Sequence, residues 1–390
     1  MSLDSNYSIK EINELCEINS SNYSKKDNWD FINYLDTKNI IKGEINEIQL
    51  FDPNYDKVPS RAKRKVKIDD IIISTVRPNQ EHYGMIKNKI DNFLVSTGFT
   101  TLTVDKTQAK PEFIYYYITQ KYITESLQTI AEQSTTSYPS IKPSDIGNLL
   151  IELPPLEIQE KISQILTSIE NKITVNKEIN KNLLQLSKVI FKNWFVEFEP
   201  FDGVQPDDWK TCALEEVCDL NAGGDKPEVV SDEITESCIY PIYSNGLDNE
   251  GLYGYTNHAK IFEECVTVSA RGTIGFVCLR HTPYVPIVRL VSVIPKKEFI
   301  SAKYLYLFLD RLNIMGTGTT QQQLTIPDFK KTEILVPTLD VIEGFTNHLN
   351  PLFEKIWIQE EEIKKLSKLR DTLLPKLMSG EIDVSKINCD

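Results

Sequence analysis

Apolar side chains recur at helical spacing along two long stretches of the chain. In the first, Ile158, Ile162, Ile165, Ile169, Ile173, Leu183, Leu186 and Ile190 stand mostly three or four positions apart, with Glu, Lys, Gln and Asn between them. That spacing predicts a helix from about residue 156 to residue 195, ~60 Å long at 1.5 Å per residue. The stripe is narrow and flanked by both charges, the pattern of a coiled-coil seam. Asn176 and Asn180 fall on the seam, where they either fix its register or rotate toward solvent. The second stretch carries Leu352, Ile356, Ile363, Leu366, Leu369, Leu373 and Leu377 and meets a natural stop at Gly380. Pro351 predicts that this helix starts or kinks there.

The polar and apolar pattern between these stretches repeats. Pro154 falls on Pro337, 183 positions on, and beyond it Ile158 meets Val341, Ile162 meets Phe345, Leu166 meets Leu349 and Ile173 meets Ile356. Earlier landmarks match at wider offsets: Cys16 with Cys218 is 202 apart and Arg77 with Arg271 is 194 apart. Order is kept while loops change length, so one scaffold occurs twice with diversified connections. Each copy begins with short β-branched runs such as "KIDDIIISTVRP" and "CVTVSARGTIGFVCL", separated by Gly, Asn and Pro, which read as strands and turns. A helix rich in Tyr and Leu follows, then a polar Ser/Thr/Gln loop, a short strand ending in proline, and the long helix. Tyr115, Tyr116 and Tyr117 lie at helical spacing and are expected in the core, as are Cys16 and Cys218.

Composition narrows the picture. A chain of 390 residues is long enough for two or three domains. No apolar run reaches the ~18 residues of a membrane span. Seven Cys with no C-x-x-C pair, and four scattered His, argue against a disulfide framework or a zinc site, so a reduced, cytoplasmic protein without a metal or cofactor is expected. The net charge of −13 disfavours a polyanion partner, yet residues 57–67, "KVPSRAKRKVK", hold six basic residues in eleven. Local fields decide where a polyanion docks.

At these residues the chain resembles the specificity subunit of type I restriction–modification systems. "LPPLEIQEKISQILTSIENKI" (153–173) is similar to that family's central conserved region and "LRDTLLPKLMSGEIDV" (369–384) to its distal one. "DIIISTVRP" and "GTGTTQQQLTIPDFKKTEILVP" resemble its target-recognition domains, whereas "STTSYPS" departs from the Gln-rich turn expected before the first long helix. The resemblance implies an α+β architecture: two similar globular α/β target-recognition domains joined by two long α-helices packed as an antiparallel coiled coil, a pseudo-two-fold tandem repeat. The expected boundaries are a first recognition domain over 1–152, a central helical region over 153–199, a second recognition domain over 200–337, a C-terminal helical region over 338–385 and a tail over 386–390. The implied function is non-catalytic reading of a bipartite, asymmetric double-stranded DNA target. Two methyltransferase (modification) subunits would dock on the chain, and restriction subunits with nuclease and translocase activity could join them. The helices would set the spacer between half-sites.

Local chemistry agrees with a reader. The chain has no G-x-x-x-x-G-K-[ST] loop and no Asn-Pro-Pro-aromatic string, so neither a nucleotide's phosphates nor a methyl-transfer site is provided for. For DNA contact the candidates are Lys57, Arg61, Lys63, Arg64, Lys65 and Lys67, which can neutralise phosphates or remain a solvated basic loop. Arg77 and Arg271 follow a strand in each copy and suit either a DNA contact or a structural ion pair. Ser244, Asn245 and Thr273 lie in polar loops of the second copy, and Gln321, Gln322 and Gln323 can address adenine edges or merely cap a turn. The helix and partner interface is expected at Ile158, Ile162, Ile165, Ile169, Leu183, Leu186, Leu352, Ile356, Leu366, Leu369 and Leu377. A coiled-coil scaffold with no nucleic-acid role would explain the helices and the acidity, but not the repeated modules or the basic cluster.

Overall fold

The computed structural model describes residues 7–133, 138–312, 314 and 324–387. The chain divides into two compact units, Met1–Val175 with Glu362–Asp390, and Asn176–Glu361. Both long helices are continuous, Leu156–Phe195 and Leu339–Met378, and each contributes one half to each unit.

Unit 1 opens with a strand, Ser8–Glu11, paired antiparallel with Leu150–Leu153, the strand that leads into the first long helix. Its central sheet runs in the order Cys16–Ile18, Phe99–Val104, Ile71–Ser74, Tyr83–Met85. Ile71, Ile72 and Ile73 are all buried because apolar layers cover both faces of this sheet. Helices Pro111–Ile118 and Lys121–Glu132 supply Phe113, Ile114, Tyr116, Tyr117 and Leu127 to one of those layers. The three tyrosines pack as expected, with Tyr115 set edge-on to Tyr83 and Tyr116.

Unit 2 repeats the plan. Strand Lys210–Ala213 pairs with Glu333–Val336, and the central sheet runs Cys218–Ala222, Leu290–Pro295, Cys265–Ser269, Val277–Arg280. Helix Ala302–Arg311 covers it with Tyr304, Leu305 and Leu309. A second sheet also recurs. In unit 1 it orders Gln49–Phe51, Ile32–Leu35, Phe93–Ser96, Ala62–Lys65; in unit 2 it orders Leu252–Thr256, Tyr240–Tyr243, Val285–Pro286. The parallel pairing of Phe93–Ser96 with Ile32–Leu35 matches that of Val285–Pro286 with Tyr240–Tyr243. The place of strand Ala62–Lys65, which carries part of the basic cluster, is taken in unit 2 by a single antiparallel bridge, Ile261 to Tyr284.

Within unit 1 the start of the first long helix meets the end of the second: Ile162 and Leu166 share a core with Leu377 and Met378, and Ile158, Ile165, Leu373 and Leu374 flank it. Within unit 2 the end of the first meets the start of the second, through Phe191, Phe195, Phe345, Leu349, Phe353 and Ile356. The helices are therefore antiparallel in each unit. Phe195 anchors its helix end edge-on to Phe345 at 4.7 Å and Tyr304 at 4.8 Å. Arg370 Nη1 bonds Glu170 Oε1 at 2.8 Å. Burial alone would lower the Arg370 pKa, but the Glu170 and Asp371 carboxylates together outweigh it and raise it. Asn176 is fully buried and Asn180 donates to Ile356 O at 3.2 Å, so both belong to the seam and neither turns to solvent.

Three expectations are corrected. Leu186 and Leu369 stand 45% and 46% exposed, off the seam, and the adjacent Ser187 takes the buried position. Ile169 and Leu366 are half-buried at its margin, while Leu183 and Leu352 pack against the unit 2 core. The second helix does not start at Pro351, but runs through both Pro351 and Pro375. Each proline lies on the exposed face, and the buried residues next to it, Leu349 and Phe353, or Leu377, hold the helix.

Candidate nucleic-acid interface

Strand Ala62–Lys65 pairs with Phe93–Ser96 on one side and, on the other, is bridged to residues 21–23, where Tyr23 N donates to Lys63 O at 2.7 Å and Lys65 N donates to Ser21 O at 3.1 Å. Side-chain contacts sort the basic cluster. Arg64 is half-buried, its Nη1 donates to Asn22 Oδ1 at 3.2 Å, and its buried Nε has no partner among the described residues. Burial lowers its pKa. Lys65 is ion-paired with Asp27 and lies 5.4 Å from the Trp29 ring centre. That hydrogen bond is the main cause that holds the Asp27 carboxyl below its ordinary range. Arg64 and Lys65 are thus engaged inside the unit, which weakens the expectation that they meet phosphate. Lys57, Arg61, Lys63 and Lys67 are exposed and have no ion pair among the described residues.

Arg61 is tied to the Arg77 loop through the backbone. Arg61 O accepts from Thr97 N at 2.8 Å, the neighbouring Gly98 O accepts from Thr75 N at 2.8 Å, and Ile141 N donates to Thr75 O at 2.9 Å. Arg77 sits at φ 48 and ψ 70, donates its N–H to Pro139 O at 2.9 Å, and lies 5.1 Å from the Tyr138 ring centre. It forms no carboxylate pair among the described residues.

Unit 2 builds the same junction. Leu324 N donates to Ala270 O at 2.8 Å, as Ile141 does to Thr75, and Ala270 N donates to Arg289 O at 2.9 Å, as Thr75 does to Gly98. The sheet ladder registers Ser74 opposite Phe99 and Ser269 opposite Leu290. By that register Arg77 lies three residues past its strand end and Arg271 two, so the two arginines are close analogues rather than exact equivalents. The loop of Arg271 is stapled to the loop of Ser244: Asn245 Nδ2 donates to Arg271 O at 2.7 Å and Thr273 Oγ1 donates to Asn245 O at 2.6 Å. Ser244 N in turn donates to Gly251 O at 2.7 Å. Gly251 has φ +81, and a Cβ there would fall 2.2 Å from Ser244 O, so only glycine closes this turn. The structure therefore brings Ser244, Asn245, Arg271 and Thr273 into one network. Gln321, Gln322 and Gln323 lie outside the described residues; on either side of that stretch, Leu324 bonds Ala270, and Ile314 O lies 2.9 Å from where a Gly275 Cβ would be.

Sequence reading missed Arg280, which is 4% exposed. Its guanidinium lies 3.7 Å from the Tyr243 ring centre and donates to Thr267 Oγ1 at 3.0 Å, Glu250 Oε2 at 2.9 Å and Glu250 O at 2.7 Å. It joins two strands to the loop of Gly251, and thereby sets the Ser244 loop. An arginine ending an apolar run, "VCLR", was the available signal. Among the described residues no group of three or more His, Cys, Asp or Glu could hold a metal, and no helix is long and apolar enough to cross a membrane.

The family described as Type I restriction modification DNA specificity domain matches residues 4–185 and 206–375, once per copy of the repeat. The chain belongs to this family. It is 25% identical over 433 residues to the type I restriction enzyme HindI specificity subunit of Haemophilus influenzae, covering 90% of this chain and 94% of that one. It is 24% identical over 410 residues to the MjaIX specificity subunit of Methanocaldococcus jannaschii, covering 97% and 93%. Its fold is like that of the type I restriction–modification S subunit from M. genitalium, with a TM-score of 0.61 at 17% identity, covering 97% and 98% of the two chains. The chain is thus a type I specificity subunit by family, and the expected two-module α+β architecture is borne out.

Proposed function

We propose that this specificity subunit reads a double-stranded DNA target in two parts, one unit per half, and presents it to two methyltransferase subunits docked on the same chain. Those subunits supply the methyl-transfer chemistry, and restriction subunits can join them; this chain contributes recognition alone and works in the cytoplasm. The observation that carries the reading is the repeated junction: each unit holds an arginine-bearing loop against the turn entering the same strand, beside a second sheet that differs between the units. A shared frame suits shared backbone contacts, and divergent neighbours suit different bases. In unit 1 the exposed Lys57, Arg61, Lys63 and Lys67 supply the phosphate-facing charge. In unit 2 Ser244, Asn245, Arg271 and Thr273 form the facing surface, with the 321–323 glutamines as further candidates.

The test is selection from a randomised duplex pool by the chain co-purified with its methyltransferase subunits. A consensus in two blocks separated by unspecified positions is expected. A single block, or no enrichment over bulk DNA at moderate salt, would contradict the reading.

A further inference from the structure

Besides the one-residue offset of their loop arginines, the two junctions differ in the turn that enters the long strand. The turn entering the long strand of the central sheet gives its last carbonyl to the arginine-bearing loop in both, but that residue is Gly98 in unit 1 and Arg289 in unit 2. Unit 1 receives an arginine from next door, since Arg61, just before strand Ala62–Lys65, accepts from Thr97 N at its backbone oxygen at 2.8 Å. In unit 2 the corresponding place is a single antiparallel bridge, Ile261 to Tyr284, in a segment without arginine, and the arginine stands in the turn itself.

Arg289 is held in an unfavourable conformation. Its φ is 76°, and among the described non-glycine residues with positive φ the arginines are Arg77 and Arg289, both at this junction. A left-handed backbone costs a long L side chain free energy that glycine would avoid. Here it is enforced on both sides: Ala270 N donates to Arg289 O at 2.9 Å, and Gly223 N donates to Leu290 O at 2.7 Å. Such strain, fixed by its surroundings, is characteristic of functional positions. The side chain is exposed and makes no hydrogen bond or ion pair among the described residues, so nothing in the described fold uses its charge.

We propose that Arg289 is a base-reading residue of unit 2, its guanidinium offered beside the Arg271 loop to the O6 and N7 of a guanine in the second half-site. This rests on the two-part reading above. A planar fork of donors matches that base edge, and an ammonium does not.

The experiment uses the chain with its methyltransferase subunits, in wild-type, Arg289→Gly and Arg289→Lys forms. Affinity is measured for the cognate duplex, for duplexes with single changes in either half, and for unrelated DNA, alongside the melting temperature. Arg289→Gly is expected to melt no lower than wild type, because the strain is relieved. Its discrimination at one position of the second half should fall about 10- to 100-fold. The first half and unrelated DNA should be unaffected, and Arg289→Lys should not restore discrimination. Unchanged discrimination overturns the proposal. So does equal weakening on every sequence with rescue by lysine, which would mark a phosphate contact, and so does a lowered melting temperature, which would mark a structural role. A wild-type complex with no preference in either half would overturn the two-part reading itself, and this inference with it.

Discussion

Replacing Arg280 with Met removes three donors while keeping most of the apolar volume. The bonds to Thr267 Oγ1 at 3.0 Å and Glu250 O at 2.7 Å pair a charged donor with neutral acceptors, worth about 1.5–3 kcal/mol each with desolvation already included. The stacking on the Tyr243 ring at 3.7 Å adds about 1–2 kcal/mol. The pair with Glu250 adds under about 0.5 kcal/mol, because that carboxylate is 59% exposed and screened. The loss is therefore about 4–8 kcal/mol, confined to unit 2. For a unit of this size that is a fall of roughly 8 °C or more in its own melting transition. Differential scanning calorimetry should show that transition moving and the unit 1 transition staying. Hydrogen exchange should show the Ser244 amide losing protection while Thr75 and Ile141 keep theirs. A shift below about 1 °C, or equal loosening of both units, would refute the role of Arg280 in setting the Ser244 loop.

Replacing Lys57, Arg61 and Lys63 together with Ala should flatten the plot of log affinity against log salt by about 0.9 for each phosphate that is no longer neutralised; an unchanged slope would remove these residues from the interface. Leu166→Ala, fully buried in the helix seam, should lower stability by about 2–5 kcal/mol in urea titration, whereas the exposed Leu186→Ala should stay within about 0.5 kcal/mol. Burial pushes the Cys265 thiol up to about 11 and those of Cys16, Cys218 and Cys278 up to about 12. At pH 8 these thiols should therefore react far more slowly with a thiol reagent in the native protein than after denaturation. The folded state also keeps thiol protons that the unfolded chain releases above about pH 8.5, so stability should decline as pH rises beyond that value.

The long helices were legible because their seam repeats along 40 residues, and the expected first helix, 156–195, agrees with Leu156–Phe195. Pro351 misled because propensity counts only the missing donor, while the apolar residues around it decide the outcome in the fold. Leu186 misled because a strict seam does not follow the drift of a 3.6-residue helix past Asn176 and Asn180; the packing rotates to Leu183, Ser187 and Phe191. The arginine loops were visible as repeated strand ends, yet their one-residue difference in register needed the sheet ladder. Arg280 and Arg289 stayed hidden because their roles depend on partners 30 and 19 positions away along the chain, Glu250 and Ala270, reached only through sheet pairing.

Methylation mapping of the host genome, with and without this gene, tests the two-part reading most directly. The expected result is an adenine methylated within a split motif, present in the parent and absent from the deletion strain, and restored when the gene is returned. A split motif that persists after deletion, or a restored motif consisting of one continuous block, would contradict it.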